Sequence, residues 1–408
     1  MDEPPVGAWP AGPGFWAVLR HAEVRRVLRD HETFSSQLGA TQIRDPARPE
    51  DLAYVRRMML NMDPPEHSRL RSLLTKAFTP RAVARLTEGI HRRARALVER
   101  VTDRGRADFA SEIAADLPLL TLADVFGVPE EDRRLLYDWS NRVIGYQDPE
   151  YAVSATFDAS GATEMARRVV ALRPVPGPDG RMPDPRSRAG MPDLYAYAHE
   201  LGAYKREHPG DDVMSILMAQ VGDDGARVSI EEFENLFWLF SVAGNETVRN
   251  GLPGGMTALL EHPGEYARLR AEPELIAPAV EEMLRWWTPV MHFRRTATRD
   301  TELAGTRIRA GDKVVVWYAS ANRDASVFPD PDRFDVTRFA GGRAAEHLAF
   351  GHGPHFCLGA HLAREQLRAM FTAVVELLGE VRPDGEPVRL RSNFQNGVKH
   401  LPIRWSGR

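Results

Sequence analysis

The chain reads as mainly α with a small β region, and three observations carry that reading. Apolar residues recur at helical spacing along most of its length. Strand-like pieces are short and gather late in the chain. One periodic segment, over 230–260, would cross most of a domain at about 1.5 Å per residue.

Taken in order, residues 15–19 suggest a short strand from the N-terminal end. Helical spacing follows over 22–29, 70–77, 81–101 and 195–206, then 230–260, 277–287 and the segment after Cys357. Strand patterns occupy 301–308, 313–318, 388–390 and 399–405. This predicts one domain over 1–408, with a helical body over about 65–287 and 357–380. A β region would come from about 1–60, 288–340 and 385–408, so both ends of the chain contribute. The stretch 171–191 has five prolines and three glycines, too many breakers for a packed element. It suits a disordered linker between domains, but helical pattern resumes on both sides without a change of composition and favours another reading.

Ser229-Ile230-Glu231-Glu232 is a capping box that opens the long helix. Gly251, Pro253, Gly254 and Gly255 predict a kink or break one to two turns beyond Thr247.

The formal net charge of −4 argues against a nucleic-acid partner. One cysteine rules out an internal disulfide, so a reducing cytoplasm is expected. The longest apolar run without charge, about 235–245, is too short to span a bilayer, and the acidic, proline-rich start of the sequence leads to the expectation of neither a leader nor a membrane anchor.

Candidate chemistry begins with that cysteine. A lone cysteine is commonly a small buried hydrophobe. Cys357, however, sits in Phe350-Gly351-His352-Gly353-Pro354-His355-Phe356-Cys357-Leu358-Gly359, at the entrance to an amphipathic helix. A helix N-terminus favours thiolate over thiol, and the glycines let backbone approach a flat group closely. Upstream, Glu246 and Thr247 follow an apolar run, Leu236 to Val242. A carboxylate beside a hydroxyl can pass protons into a dry pocket. The same pair also suits a solvated turn, but the apolar run favours burial. Glu282 and Arg285 lie three apart on one helix face, as a surface pair or as a buried one beside Leu284, Trp286 and Trp287.

Phe350–Gly359 matches every specified position of Phe-Gly-x-Gly-x-His-x-Cys-x-Gly, and the chain resembles the cytochrome P-450 family from about Phe15 to Trp405. Ala243-Gly244-Asn245-Glu246-Thr247 resembles that family's Ala-Gly-x-Asp/Glu-Thr element, with Val248 where many members have a second threonine. The resemblance implies the P-450 fold, with the long helix over haem b, and Cys357 as axial ligand of the haem iron. Phe350, Gly351, Gly359, Ala243 and Gly244 would lie against the cofactor. His67, Arg71, Arg295 (at the opening of a strand) and His355 would face its propionates. Thr247 would bond dioxygen and Glu246 would feed a proton relay. Glu282 and Arg285 would meet Arg333 from the PDPDRF loop. The stretch 171–191 would be the lid over the substrate pocket, and Leu239, Val242, Met291, Phe293, Phe394 and Gln395 would line that pocket together with Ala243.

The implied activity is monooxygenation of a largely apolar small molecule such as a steroid, a terpenoid or a natural-product intermediate, or its oxidative coupling or cyclisation. The enzyme would be a monomer. Electrons from NAD(P)H would arrive through a ferredoxin reductase and a ferredoxin, which would dock on Arg364 and Arg368, expected on the exposed face of the helix after Cys357, together with Arg69 and Lys76. A non-catalytic haem-thiolate sensor would not need Glu246 and Thr247. A zinc site from His352, His355, Cys357 and His361 would need neither that pair nor the cationic set. GHGPHFCLG lacks the third glycine of a dinucleotide-binding loop.

Overall fold

The computed structural model describes residues 1–4, 11–46, 48–144, 148, 150, 159–178, 182–185, 187–222, 225–342 and 344–406. They form two compact units. One comprises Met1–Ser35, Thr87–Pro118 and Thr247–Arg408; the other comprises Ser36–Leu86 and Leu119–Glu246.

The first unit contains the sheet expected from both ends of the chain. Trp16–Val18 runs parallel to Lys313–Trp317. That strand also pairs antiparallel with His292–Ala297, and Phe34–Ser35 completes the four. Val314, Val315 and Val316 are all buried, so both faces of the sheet are covered. Helix His21–Arg29 supplies Val24, Val27 and Leu28 at helical spacing to the core around Val18, Phe34 and Tyr318. A second sheet places Pro402–Trp405 between Arg106–Asp108 and Val381–Pro383. The pattern over 301–308 is a hairpin, Thr301–Leu303 with Thr306–Ile308. Ala304 and Gly305 turn it with positive φ, the geometry that matches strand twist.

The second unit is built from helices, including Glu66–Ala77, Arg133–Ile144, Glu164–Val170, Pro192–Glu207, Val213–Ala219 and Ile230–Ala243. Helix Ile230–Ala243 packs on Pro192–Glu207 and Arg133–Ile144. Phe237 is central to this packing, with Phe126 4.2 Å and Trp139 5.9 Å away between ring centroids. Gly202 permits the approach, because a Cβ there would fall 2.8 Å from the Phe233 ring. The described part of 171–191 is irregular apart from the turn Arg188–Gly190; residues 179–181 and 186 lie outside the described residues. Its ends are tied by Arg173 to Asp138 (2.9 Å) and by Arg188 to Glu234 (2.6 Å).

The capping box at Ser229 forms as expected. Its hydroxyl accepts the Glu232 N–H (3.1 Å), while Glu232 accepts the Ser229 N–H (2.8 Å). The expected 230–260 helix, however, is two helices, Ile230–Ala243 and Glu246–Glu261, interrupted at Gly244–Asn245. No break occurs at Pro253, which lies inside the second helix. Proline removes one bond, to the carbonyl four residues back. Packing holds the rest: Gly254 lies flat against Trp287 and Gly255 against Phe371 and Met283, with no room for a Cβ at either. Among the described residues no helix is long and apolar enough to cross a membrane.

Candidate active site

The loop before helix Ala360–Leu377 brings Cys357 to the place its sequence suggested. The Cys357 N–H donates to the Phe350 carbonyl (2.9 Å), closing a loop over 350–357. Gly353 has φ 73°, and a Cβ there would come within 2.6 Å of the Leu28 carbonyl, so only glycine fits. Gly351 also has positive φ (71°). Cys357 is a half-buried thiol, in no disulfide, two residues before Gly359, the N-cap of the helix. His352 bonds Arg29 (3.3 Å), and among the described residues no group of three His, Cys, Asp or Glu side chains is placed to hold a metal ion.

Arg295 lies in the middle of strand His292–Ala297 rather than at its opening, paired with Val314. It is buried, and one of its guanidinium nitrogens donates to the Arg294 carbonyl (2.9 Å). Its charge acts on Tyr318: burial pushes that phenol up to about 12, and Arg295 works against the rise. The Tyr318 hydroxyl in turn lies beside Gly351, so the strand reaches the cysteine loop through Tyr318. The same strand carries Phe293, whose ring is 5.5 Å from Phe394. The Met291 N–H donates to the Phe394 carbonyl (3.0 Å), Val290 bridges Gln395, and Gln395 accepts from Asn250 (3.4 Å). Four predicted pocket residues thus meet within the first unit. Next to them, burial lowers the pKa of His292 to about 4.

Glu282 and Arg285 form the buried alternative of the two weighed from sequence. Arg285 grips Glu282 with two bonds, of 2.6 and 2.8 Å, and neither side chain is exposed. The third member of the cluster is Arg338, not Arg333. Arg338 reaches Glu282 at 3.1 Å and is 10% exposed; the Arg333 side chain is 67% exposed. Arg333 contributes its carbonyl instead, accepting from Arg338 (2.8 Å) and Arg285 (3.4 Å). A bond between Arg333 N–H and the Asp330 carbonyl turns the loop, so the later arginine is the one that points inward. No local signal in the sequence picks out Arg338 over Arg333.

In the second unit, Leu239 and Glu246 are buried, Val242 and Gly244 half-buried and Ala243 exposed. Gly244 packs under the Phe240 carbonyl and Leu122, and a Cβ there would meet the carbonyl at 2.9 Å. Ser140, on helix Arg133–Ile144, was not anticipated. Its hydroxyl faces Glu246 Oε1 (3.3 Å) and accepts from the Asn245 amide (2.9 Å). A serine among the buried Leu136, Trp139 and Val143 was the available signal. His67 and Arg71 share a face of helix Glu66–Ala77, the first buried and the second half-buried. Thr247 follows Glu246 in the chain and begins the first unit's share of the helix.

The expected exposed face with Arg364 and Arg368 is not found. Arg364 is bound through two bonds to Glu281 (2.7 and 2.9 Å), and Arg368 pairs with Glu365 (2.7 Å). Arg69 pairs with Glu232. Helix Ala360–Leu377 packs on Ile276–Trp287, which brings Arg364 to Glu281.

Comparison with known proteins assigns this fold and its cysteine loop to a family. The cytochrome P-450 family profile matches residues 202–387. A steroid C26-monooxygenase of Mycobacterium bovis is 37% identical, over 97% of this chain and 83% of its own. A methyl-branched lipid omega-hydroxylase of Mycobacterium tuberculosis is 39% identical, over 99% and 89%. The Mycobacterium marinum cytochrome P-450 CYP268A2, solved in complex with pseudoionone, superposes with TM-score 0.81 at 36% identity, over 99% of this chain and 91% of that one. The chain belongs to the cytochrome P-450 family and is a monooxygenase, with haem as cofactor and dioxygen as co-substrate.

The cysteine loop suits that cofactor. It offers a thiol outside any disulfide, and a Cβ on Gly359 would come no nearer than 4.0 Å to the sulfur. The buried Arg295 guanidinium on the neighbouring strand is chemistry that fits a carboxylate-bearing group.

Proposed function

We propose that Cys357 is the thiolate ligand of the haem in a monooxygenase that hydroxylates a largely apolar small molecule of steroid, isoprenoid or branched-lipid type. The observation that carries this reading is the closed 350–357 loop delivering Cys357 to the start of helix Ala360–Leu377. When bound, the haem activates dioxygen and supplies the oxidising power for the C–H bond. The chain's own groups do the rest. The helix N-terminus favours the thiolate form of Cys357. His67, Arg71, Arg295 and His355 would hold the propionates. Glu246 holds a proton at its carboxyl and passes it toward the Thr247 hydroxyl, with Ser140 fixing the carboxyl's orientation. Such bonds often tighten from a resting length like 3.3 Å when the site is engaged. Leu239, Val242, Ala243, Met291, Phe293, Phe394 and Gln395 orient the substrate and exclude water, and 171–191 serves as the lid.

The substrate class rests on those apolar side chains together with the steroid and lipid activities of the two curated relatives. Electrons come from NAD(P)H through a ferredoxin reductase and a ferredoxin in the cytoplasm, to a monomer whose two units make one P-450 domain. Cys357→His tests the reading directly. It is expected to abolish product and to move the band of the reduced carbon monoxide complex to shorter wavelength; an unaltered band would exclude Cys357 as ligand. A low-to-high spin shift of the haem, screened across steroids, isoprenoids and branched fatty acids, identifies the substrate.

A further inference from the structure

Glu281 stands beside Glu282 on helix Ile276–Trp287 but holds different partners. Its Oε1 accepts from Arg364 Nε (2.7 Å), and its Oε2 accepts from Arg364 Nη2 (2.9 Å) and meets His347 Nε2 (3.1 Å). His347 lies ten residues before Cys357 and Arg364 seven after it, so one carboxylate joins both flanks of the cysteine loop. The His347 Nδ1 accepts the Ala349 N–H (3.3 Å), which leaves Nε2 as the protonated nitrogen that donates to Glu281. Next in the chain, the Leu348 N–H donates to the buried Asn322 side chain (2.7 Å).

The two flanks also meet through Phe350. The Arg364 guanidinium covers its ring at 4.4 Å, and the His347 ring lies 5.8 Å from it between centroids. Phe350 is the residue whose carbonyl accepts the Cys357 N–H. A continuous set of contacts therefore runs from Glu281 through Arg364, His347 and Phe350 to the cysteine backbone. His347 is 3% exposed, and bidentate arginine–carboxylate pairs are directional, so the set is held in one geometry rather than loosely attracted. Groups that orient a ligating side chain commonly matter tenfold or more to what it binds.

We propose that Glu281 is a positioning residue that clamps both flanks of the 347–364 segment and so fixes Cys357 for iron ligation. It does not touch the reacting atoms. The proposal rests on the reading of Cys357 as ligand.

The test uses the full-length, haem-loaded protein with Glu281→Ala, Glu281→Gln and Glu281→Asp, and with Arg338→Ala and Cys357→His as controls. Two quantities are followed: the rate at which the thiolate-type carbon monoxide band decays in mild urea, and amide hydrogen exchange over 348–357. In E281A the band is expected to decay about tenfold faster, and exchange to rise by a similar factor. E281Q, which keeps an acceptor but not the charge, is expected between E281A and the wild type, and E281D to recover most of the effect. R338A loosens the same unit elsewhere and is expected to leave exchange over 348–357 near wild type. Wild-type decay and exchange in both E281A and E281Q, beside an altered C357H spectrum, would overturn the clamp alone. An unaltered C357H spectrum would overturn the ligand reading. Should E281A fail to fold, E281Q and E281D carry the same comparison.

Discussion

Two regions bury a glutamate completely and use it differently. On helix Ile276–Trp287, Glu282 takes two bonds from Arg285, a third from Arg338 and the Asp335 N–H (3.0 Å). Where the 230–261 segment breaks, Glu246 faces the Ser140 hydroxyl, which itself accepts from Asn245. A guanidinium only donates and keeps its proton at any physiological pH. A hydroxyl both donates and accepts, and can turn. The first arrangement anchors a loop to a helix; the second is the kind of contact the proposed relay calls for.

The largest effect is expected from Glu282→Ala, which strands the buried Arg285 guanidinium and the half-buried Arg338 one. A loss of about 3–5 kcal/mol in urea unfolding is the expected outcome, and a loss under 1 kcal/mol would show that the cluster is not an anchor. Next comes acid. His347 and Arg364 outweigh the upward push of burial and hold Glu281 down to about 2. Its folded pKa is therefore depressed: its contribution is present above the ordinary value of about 4.5 and is lost as pH falls toward 2. Unfolding midpoints measured across that window are expected to converge for wild type and Glu281→Gln at the acid end. His292 acts in a separate window. The unfolded chain takes up its proton near 6.5 and the folded chain only near 4, so stability falls as pH drops between them, by at most about 1.4 kcal/mol per unit. A His292→Asn variant is expected to flatten that slope.

A smaller effect separates the two arginines of the 330–338 loop. Arg338→Ala is expected to cost about 3 kcal/mol, as for a broken buried pair, and Arg333→Ala under 1 kcal/mol because its side chain is solvated; equal losses would undo the assignment of Arg338. The smallest stability change belongs to Ser140→Ala, about 1 kcal/mol for one hydrogen bond. There the readout is product formed per electron consumed, expected to fall while peroxide rises, with Ser140→Thr retaining more product. Normal yield in Ser140→Ala would deny the serine its part in the relay.

Much of this was legible in order along the chain. Period 3.6 located the helices at 21–29, 276–287 and 360–377 to within a few residues, because amphipathic spacing is set by burial of one face. Ser229 and Glu232 announced their own cap, a contact between residues three apart. Illegible were the contacts made across distance. Nothing local distinguishes Arg333 from Arg338, since the turn at Asp330 decides which one faces Glu282. Pro253 looked like a breaker because propensity ignores the Trp287, Met283 and Phe371 side chains packed around it. Arg364 looked like a surface charge until helix packing brought Glu281 to it.

By itself, then, the sequence determined the helical class, the short strands drawn from both ends and the loop that presents Cys357, because these depend on periodicity, capping and glycine conformation over a few residues. Tertiary structure alone decided which charges are buried together, that the long helix yields at Gly244–Asn245 instead of Pro253, and that Ser140 meets Glu246. Those outcomes depend on which faces pack, and a buried charge or hydroxyl is tolerated only where a distant partner arrives to meet it.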